Sequence, residues 1–209
     1  VNNIFVDAYL HGGGSYTPGS IGFLIESRDA LNVMHYDCVA AEIGMKIKPS
    51  GTTLNINGGM WFWNAMCDTG GKGFVLDASG ENLDNLEFHS CWAGYNMSTG
   101  VEVIGSALRG FRWIGGIVQA NIGGGMKING GDDHLIADTI ISGNTGVGLE
   151  FGAGVGDTTV HGNSLSNRIG YGVKFGDQTH GIKFNGGHSG LNIVGNDIRN
   201  NQIGAVTGD

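Results

Sequence analysis

A Gly-apolar-x-apolar tetrad recurs along this chain, and it restricts the possible folds more than any other feature. It reads GFLI at Gly22, GMKI at Gly44, GFVL at Gly73 and GVEV at Gly100. It continues as GMKI at Gly125, GLEF at Gly148, GVKF at Gly172 and, less regularly, GAVT at Gly204. The shortest interval, Gly22 to Gly44, is 22 residues and the longest, Gly172 to Gly204, is 32. A second apolar element precedes each tetrad after the first: LNV at Leu31, LNI at Leu54, LEF at Leu86, FRW at Phe111, LIA at Leu135, TTV at Thr158 and LNI at Leu191. Periods of this size mark stacked repeats, in which one unit cannot bury its apolar side without its neighbours.

One register aligns the repeats when each is anchored at Val33, Ile56, Phe88, Trp113, Ile136, Val160 and Ile193. Five residues on stand Cys38, Trp61, Ala93, Val118, Ile141, Leu165 and Ile198, all apolar. Eight residues on stand Ala41, Asn64, Asn96, Asn121, Asn144, Arg168 and Asn201. Coils stacked at the inter-strand spacing of about 4.8 Å put like residues over like. Apolar columns then form the core, Asn side chains form hydrogen-bonded ladders at the turns, and glycine supplies turns and close approach. The reading is an all-β, right-handed, single-stranded parallel β-helix of about seven to eight coils, with three short strands per coil. Residues 1–20 read as an irregular entry segment and residues 20–206 as the coils of one domain, a segment of a longer chain. A leucine-rich repeat would need a fixed Leu/Asn consensus, and a propeller would need hairpin-joined blades near 40 residues.

Composition narrows the partners. The chain has 41 glycines but only 2 prolines and no G-X-Y period, which excludes collagen. Eleven Lys and Arg residues against 19 Asp and Glu, a net charge of -8, leave little to neutralise phosphates, so nucleic acid is not expected. No apolar run approaches the ~20 residues of a membrane span. Three cysteines, Cys38, Cys67 and Cys91, show no CxxC pairing and suggest neither a disulfide framework nor a zinc ribbon.

The tetrad strand exposes its middle residue, giving the column Leu24, Lys46, Val75, Glu102, Lys127, Glu150 and Lys174. Its last four members alternate in sign, so Glu102 and Glu150 read as structural. Glu87 beside Arg112 reads the same way.

Three insertions interrupt the period: AMCDTGGK after Asn64, DASGENLDN after Leu76 and GDQTHGIKFNGGHSG after Phe175. Loops on a rigid solenoid are where binding and catalysis concentrate. The second and third leave at one edge, between the tetrad strand and the next coil's first strand, and that edge is acidic, with Asp29, Glu81, Asp84, Asp132, Asp133, Asp157 and Asp177. Asp133 and Asp157 fall one coil apart, at about 5 Å, with Asp132, Arg109, His134 and His161 nearby. Such a carboxylate pair can divide acid and base work, and a separation of about 5 Å suits a retaining glycosidase. The same oxygens are of the kind that hold Ca²⁺. The simpler reading is that Asp after Gly forms a turn with its own backbone. A second candidate is aromatic: Trp61 is placed inward, Trp63 and Tyr95 in one stacked column, with Trp92 beside them, as a saccharide platform or a subunit interface. His11, His35, His89, His180 and His188 form no metal motif, and the GxG runs lack a βαβ context.

The tetrads and strings such as GNDIRNNQIGAV resemble the pectate-lyase-like β-helix superfamily over about residues 20 to 206. That superfamily includes phage tailspikes, polysaccharide lyases, polygalacturonase-type hydrolases and mannuronan epimerases. GGDDH supplies Asp132 and Asp133 and VHGN supplies His161, where the polygalacturonase pattern has Asp-Asp and Gly-His-Gly; its Asn-Thr-Asp is absent. A bacteriophage tailspike segment is the nearest resemblance. It implies a homotrimer at the virion tail or otherwise extracellular, with outward Ile104, Ile114, Leu135 and Ile140 in contacts between copies. It also implies binding to a bacterial surface polysaccharide through Trp63, Tyr95, Trp92 and His161. Endo-cleavage would use Asp133, Asp157 and Asp132. Secreted polysaccharide lyases, hydrolases or epimerases, Ca²⁺-dependent, and a non-catalytic fibre segment are the alternatives.

Overall fold

Short alternating segments punctuated by Gly, Asn and Asp form short strands and tight corners, and the 22 strands among the described residues are of that kind. The computed structural model describes residues 4–9, 16–26, 30–50, 59–168 and 176–207. Every strand pairing among them is parallel and joins one coil to the next, so the molecule is a parallel β-solenoid of about seven turns. Each turn contributes one strand to each of three faces.

The first face holds the start of Leu31–Val39, then Met60–Trp63, Leu83–His89, Leu108–Ile114, His134–Ala137, Thr158–His161 and Asn192–Val194. The second holds Ile4–Tyr9, the end of Leu31–Val39, Ala65–Asp68, Trp92–Gly94, Ile117–Gln119, Ile140–Ser142, Ser164–Ser166 and Asp197–Arg199. The third carries the glycine tetrads, from Thr17–Ile25 and Ala41–Ile47 through Lys72–Asp77, Val101–Ile104, Met126–Asn129 and Gly146–Phe151 to Gln178–Phe184 and Gly204–Thr207. The entry segment is less irregular than its sequence suggests, because Ile4–Tyr9 pairs with Leu31–Val39 and Thr17 already begins a strand.

Like residues stack as the period requires. The first-face core column is Val33, Phe62, Phe88, Trp113, Ile136 and Val160, and all six are buried. Phe62 stacks on Phe88 with centroids 4.6 Å apart, and Phe88 on Trp113 at 5.3 Å. Each such side chain removed from water contributes about 1.5–3 kcal/mol, a gain available only when the next coil covers it. On the second face the inward column is Cys38, Cys67, Ala93, Val118, Ile141 and Leu165. The cysteines are therefore core residues, free and buried. Burial pushes the Cys91 thiol up to about 12, out of reach of thiolate chemistry.

Two stretches lie in a different register from the one read in the sequence. Phe62, not Ile56, pairs with Phe88 and Val33. Cys67 then falls five residues on and Gly70 eight residues on, so Trp61 faces outward and Asn64 leaves the Asn column. The extra residues thus lie before Met60, and AMCDTGGK is no insertion, since it supplies the second-face strand Ala65–Asp68. LNI at Leu54 imitates the true elements at Leu31 and Leu191 but lies outside the described residues, as do Asp29 and His11. Near the other end, GVKF at Gly172 and its Lys174 also lie outside them. The strand that stacks on Gly146–Phe151 is Gln178–Phe184, which places Lys183 against Glu150. The alternation Glu102, Lys127, Glu150, Lys183 is complete, and Lys127 Nζ lies 3.9 Å from Glu150 Oε1.

The Asn ladder runs where the corrected register puts it. The backbone N–H of Gly70 donates to Asn96 Oδ1, that of Asn96 to Asn121 Oδ1, and that of Asn121 to Asn144 Oδ1, at 3.0–3.1 Å. The side-chain amides also link, Asn96 Nδ2 donating to Asn121 and Asn121 Nδ2 to Asn144, both at 2.9 Å. Arg168 is not the next member. Gln178 takes that place, accepting from Asn144 Nδ2 at 3.3 Å and donating to Asn201 at 2.9 Å. A second ladder follows the corner between the first two faces, where Asn163 Nδ2 donates to Ile136 O and to Asn196 Oδ1, both at 2.9 Å. Cys91 and Thr139 stand in the same column in earlier coils, and their Sγ–H and Oγ1–H donate to backbone carbonyls in place of the amide.

The ladder also explains the leading glycine of the tetrad. A Cβ on Gly125 would stand 2.3 Å from Gly148 O and 2.9 Å from Asn144 Nδ2. Close approach excludes a side chain there, since this glycine does not need a left-handed backbone.

Candidate functional site

At the corner entering the first face, successive coils place Asn85, Gly110, Asp133, Asp157 and Gly190 over one another. All five have positive φ: 53°, 68°, 56°, 37° and 64°. Only Gly, Asn and Asp adopt that conformation at low cost, so the corner itself explains both aspartates. Asp133 and Asp157 do stack one coil apart, and the backbone N–H of His134 donates to Asp157 O at 3.2 Å. Their side chains stand at the rim of the face.

Two ion pairs fix this rim. Asp133 Oδ2 is 3.5 Å from Arg112 Nη2, and Asp132 Oδ1 is 3.5 Å from Arg109 Nε. The Asp133 carboxylate is 70% exposed, so the Arg112 pair is of the solvent-screened kind worth about 0–1 kcal/mol. Asp132 has no carboxylate counterpart in the next coil, where Gly156 stands. Asp84 occupies the same column two coils earlier and Arg109 lies between them. Glu81 lies in the loop just before Leu83, whereas Asp177 belongs to another corner, where it accepts from Asn167 Nδ2 at 2.9 Å. Among the described residues, no group of three or more His, Cys, Asp or Glu side chains is gathered as a cation would need.

His134 turns inward, buried against Phe111, rather than toward these carboxylates. One ring nitrogen, Nε2, lies 3.2 Å from Gly130 O, and Nδ1 has no partner. Burial holds its pKa below the ordinary imidazole range, so it is a neutral core residue. His161 points outward on the first face, in the column of Trp63, His89, Ile114 and Ala137.

The aromatic residues divide between faces. Trp63 stacks on His89, centroids 4.0 Å apart and planes 11° apart, and His89 Nε2 lies 3.2 Å from Glu87 Oε2. One face of the Trp63 ring is therefore covered, although the residue is 38% exposed. Trp61 stands beside Glu87 on the same face, with its ring over Gly59. Tyr95 does not share a column with Trp63. It belongs to the corner after the second face, with Thr69 and Ala120, where Gln119 Nε2 donates to its hydroxyl at 3.4 Å. Trp92 is on the second face between Met66 and Ile117. The register shift of the second coil, which the pairing of Phe62 with Val33 and Phe88 fixes, is what separates these groups.

The outward apolar residues divide likewise. Ile104 is on the third face, Ile114 and Leu135 on the first, and Ile140 on the second. What does form an unbroken uncharged strip is Met66, Trp92, Ile117 and Ile140, in four successive coils of the second face. Ile140 is 44% exposed.

The first face thus joins Trp61, Trp63, Glu87, His89, Arg112 and His161 on one pleated surface, with Asp132, Asp133 and Asp157 along its rim. Compared with known protein families and with curated proteins, the chain matches none.

Proposed function

We propose that this chain is a tailspike-like receptor-binding solenoid whose first face holds a bacterial surface polysaccharide. The observation that carries this reading is the gathering of Trp61, Trp63 and His161 with the rim carboxylates on one flat face. Trp63 and Asp133 lie three coils apart, about 14 Å along the axis, enough for several sugar units. Indole edges give apolar contact to sugar C–H groups, while carboxylates, imidazoles and guanidinium accept and donate to hydroxyls. The uncharged strip on the second face suits contact between copies in a homotrimer, and a virion tail or other extracellular setting follows from the same reading.

Cleavage is the second part of the proposal, with Asp133 and Asp157 as the acid–base pair and Asp132 beside them. The non-catalytic fibre reading is favoured by a specific observation, the left-handed backbone that accounts for both aspartates without chemistry.

Binding of the chain to polysaccharide preparations, read by calorimetry or an immobilised-glycan array, tests the first part. Trp63→Ala and Trp61→Ala are expected to weaken binding with the fold intact. Tyr95→Ala, on another corner, is expected to leave it unchanged. Equal affinity in all three variants removes the first face as the site. A polysaccharide-degradation assay on the parent and on Asp133→Asn/Asp157→Asn separates cleavage from binding alone, and the mass in solution tests the trimer.

A further inference from the structure

Charge is not spread evenly around the solenoid. Every lysine among the described residues (Lys46, Lys48, Lys72, Lys127 and Lys183) lies on the third face or just past one of its strands. There they alternate or pair with carboxylates, as Lys72 does with Glu102 and Lys48 with Asp77 at 3.6 Å. Among the described residues, the first face and its rim carry no lysine. Among the described residues they hold Asp84, Glu87, Asp132, Asp133 and Asp157 against Arg109, Arg112 and the imidazoles of His89 and His161; both arginines are engaged by Asp132 and Asp133, and His89 Nε2 lies 3.2 Å from Glu87 Oε2.

A surface with a net excess of carboxylates repels a polyanion and concentrates cations from a distance. An acidic glycan laid along this face would bring carboxylates or sulfates against carboxylates, with both of its described arginines already taken by Asp132 and Asp133. A glycan bearing protonated amines would instead meet Asp84 and Glu87 in one coil and Asp157 three coils on, with the arginines between them already held by Asp132 and Asp133. We propose that the polysaccharide recognised by the first face is one whose sugars carry free, protonated amino groups. This rests on the glycan-binding reading above and names the substrate class within it.

Three probes distinguish the cases: short chitosan oligosaccharides at a pH where their amines are protonated, the same oligosaccharides fully N-acetylated, and oligogalacturonates. The amine form is expected to bind about tenfold more tightly than the acetylated form, the effect of two or three exposed ion pairs. Its affinity is expected to fall as salt is raised, and oligogalacturonates are expected not to bind. Glu87→Gln and Asp157→Asn should each weaken the amine form about two- to fivefold. Asp197→Asn, on the second face, should not. Equal or tighter binding of the acetylated or acidic probe overturns the amine preference while leaving glycan binding in place. A loss with Asp197→Asn equal to that at the first face reduces the effect to bulk attraction and also overturns it. Failure of all three probes and of a broad glycan array overturns both readings.

Discussion

Replacing Asn121 by alanine removes one rung from the middle of the longer ladder, and its cost can be assembled from the contacts. Asn121 is fully buried. Its Oδ1 accepts from the backbone N–H of Asn96 at 3.0 Å and from Asn96 Nδ2 at 2.9 Å. Its Nδ2 donates to Ala93 O at 3.0 Å and to Asn144 Oδ1 at 2.9 Å. After truncation, Asn144 Oδ1 keeps the Asn121 N–H, and Asn96 Nδ2 keeps Cys67 O. The N–H of Asn96 and the carbonyl of Ala93 lose these side-chain partners. A buried backbone group left unpaired costs about 1–3 kcal/mol, so the variant should lose about 3–5 kcal/mol once the small cavity is included. Urea unfolding followed by tryptophan fluorescence measures this. Asn64→Gly is the control: Asn64 sits at an exposed corner with φ 55°, in the column of Gly115 and Gly162, and should change stability by less than about 0.5 kcal/mol. A loss below about 1 kcal/mol in Asn121→Ala, or one matched by Asn64→Gly, would refute the assignment of the ladder.

Three further outcomes are expected. Gly125→Ala should destabilise by several kcal/mol or prevent folding, because its Cβ meets the Gly148 carbonyl at 2.3 Å, and circular dichroism of the purified variant reads this directly. His134 has a folded pKa below its unfolded value, so the unfolded chain binds the extra proton: stability should be complete above about pH 6.5 and decline as pH falls through that range. His134→Leu, matching Leu86 and Leu191 in the same column, should flatten that part of the urea-midpoint profile between pH 7.5 and 5.5, taken as about one unit either side of the free imidazole value. Trp113 buries an indole N–H with no partner, so Trp113→Phe should cost less than about 1.5 kcal/mol, while Trp113→Ala should cost about 3–5 by the same unfolding assay.

The fold was legible because stacking forces a periodic sequence to repeat its own residues, and from Phe88 to Leu165 the columns keep one register. It failed at Ile56 for a definite reason. LNI there has the composition of a genuine element, and periodicity alone does not rank it against MWFW; packing does, because Phe62 completes the aromatic stack on Phe88. Lys174 failed similarly, since GVKF and GIKF satisfy the same pattern and only the pairing with Glu150 selects the second. The shorter ladder was missed although its signal is present, as the Gly-Asn pairs at Gly162 and Gly195 mark it; Cys91 and Thr139 disguise the column in earlier coils. For the site, the one-coil offset of Asp133 and Asp157 follows from sequence spacing. The separation of Trp63 from Tyr95 did not, because it inherits the shifted register, and whether an aspartate serves a turn or a reaction depends on backbone conformation.

Gln178 has one methylene more than asparagine, and it enters the amide row from the start of a strand, well past the corner where its counterparts sit. Continuity of that row therefore does not require continuity of the turn: Asn144 and Asn201 are joined through the longer arm of Gln178. A corner held in this way is a natural grafting point. Foreign segments of varied length inserted between Ser166 and Gln178 should be tolerated, whereas the same segments placed beside Asn121 would part the seam.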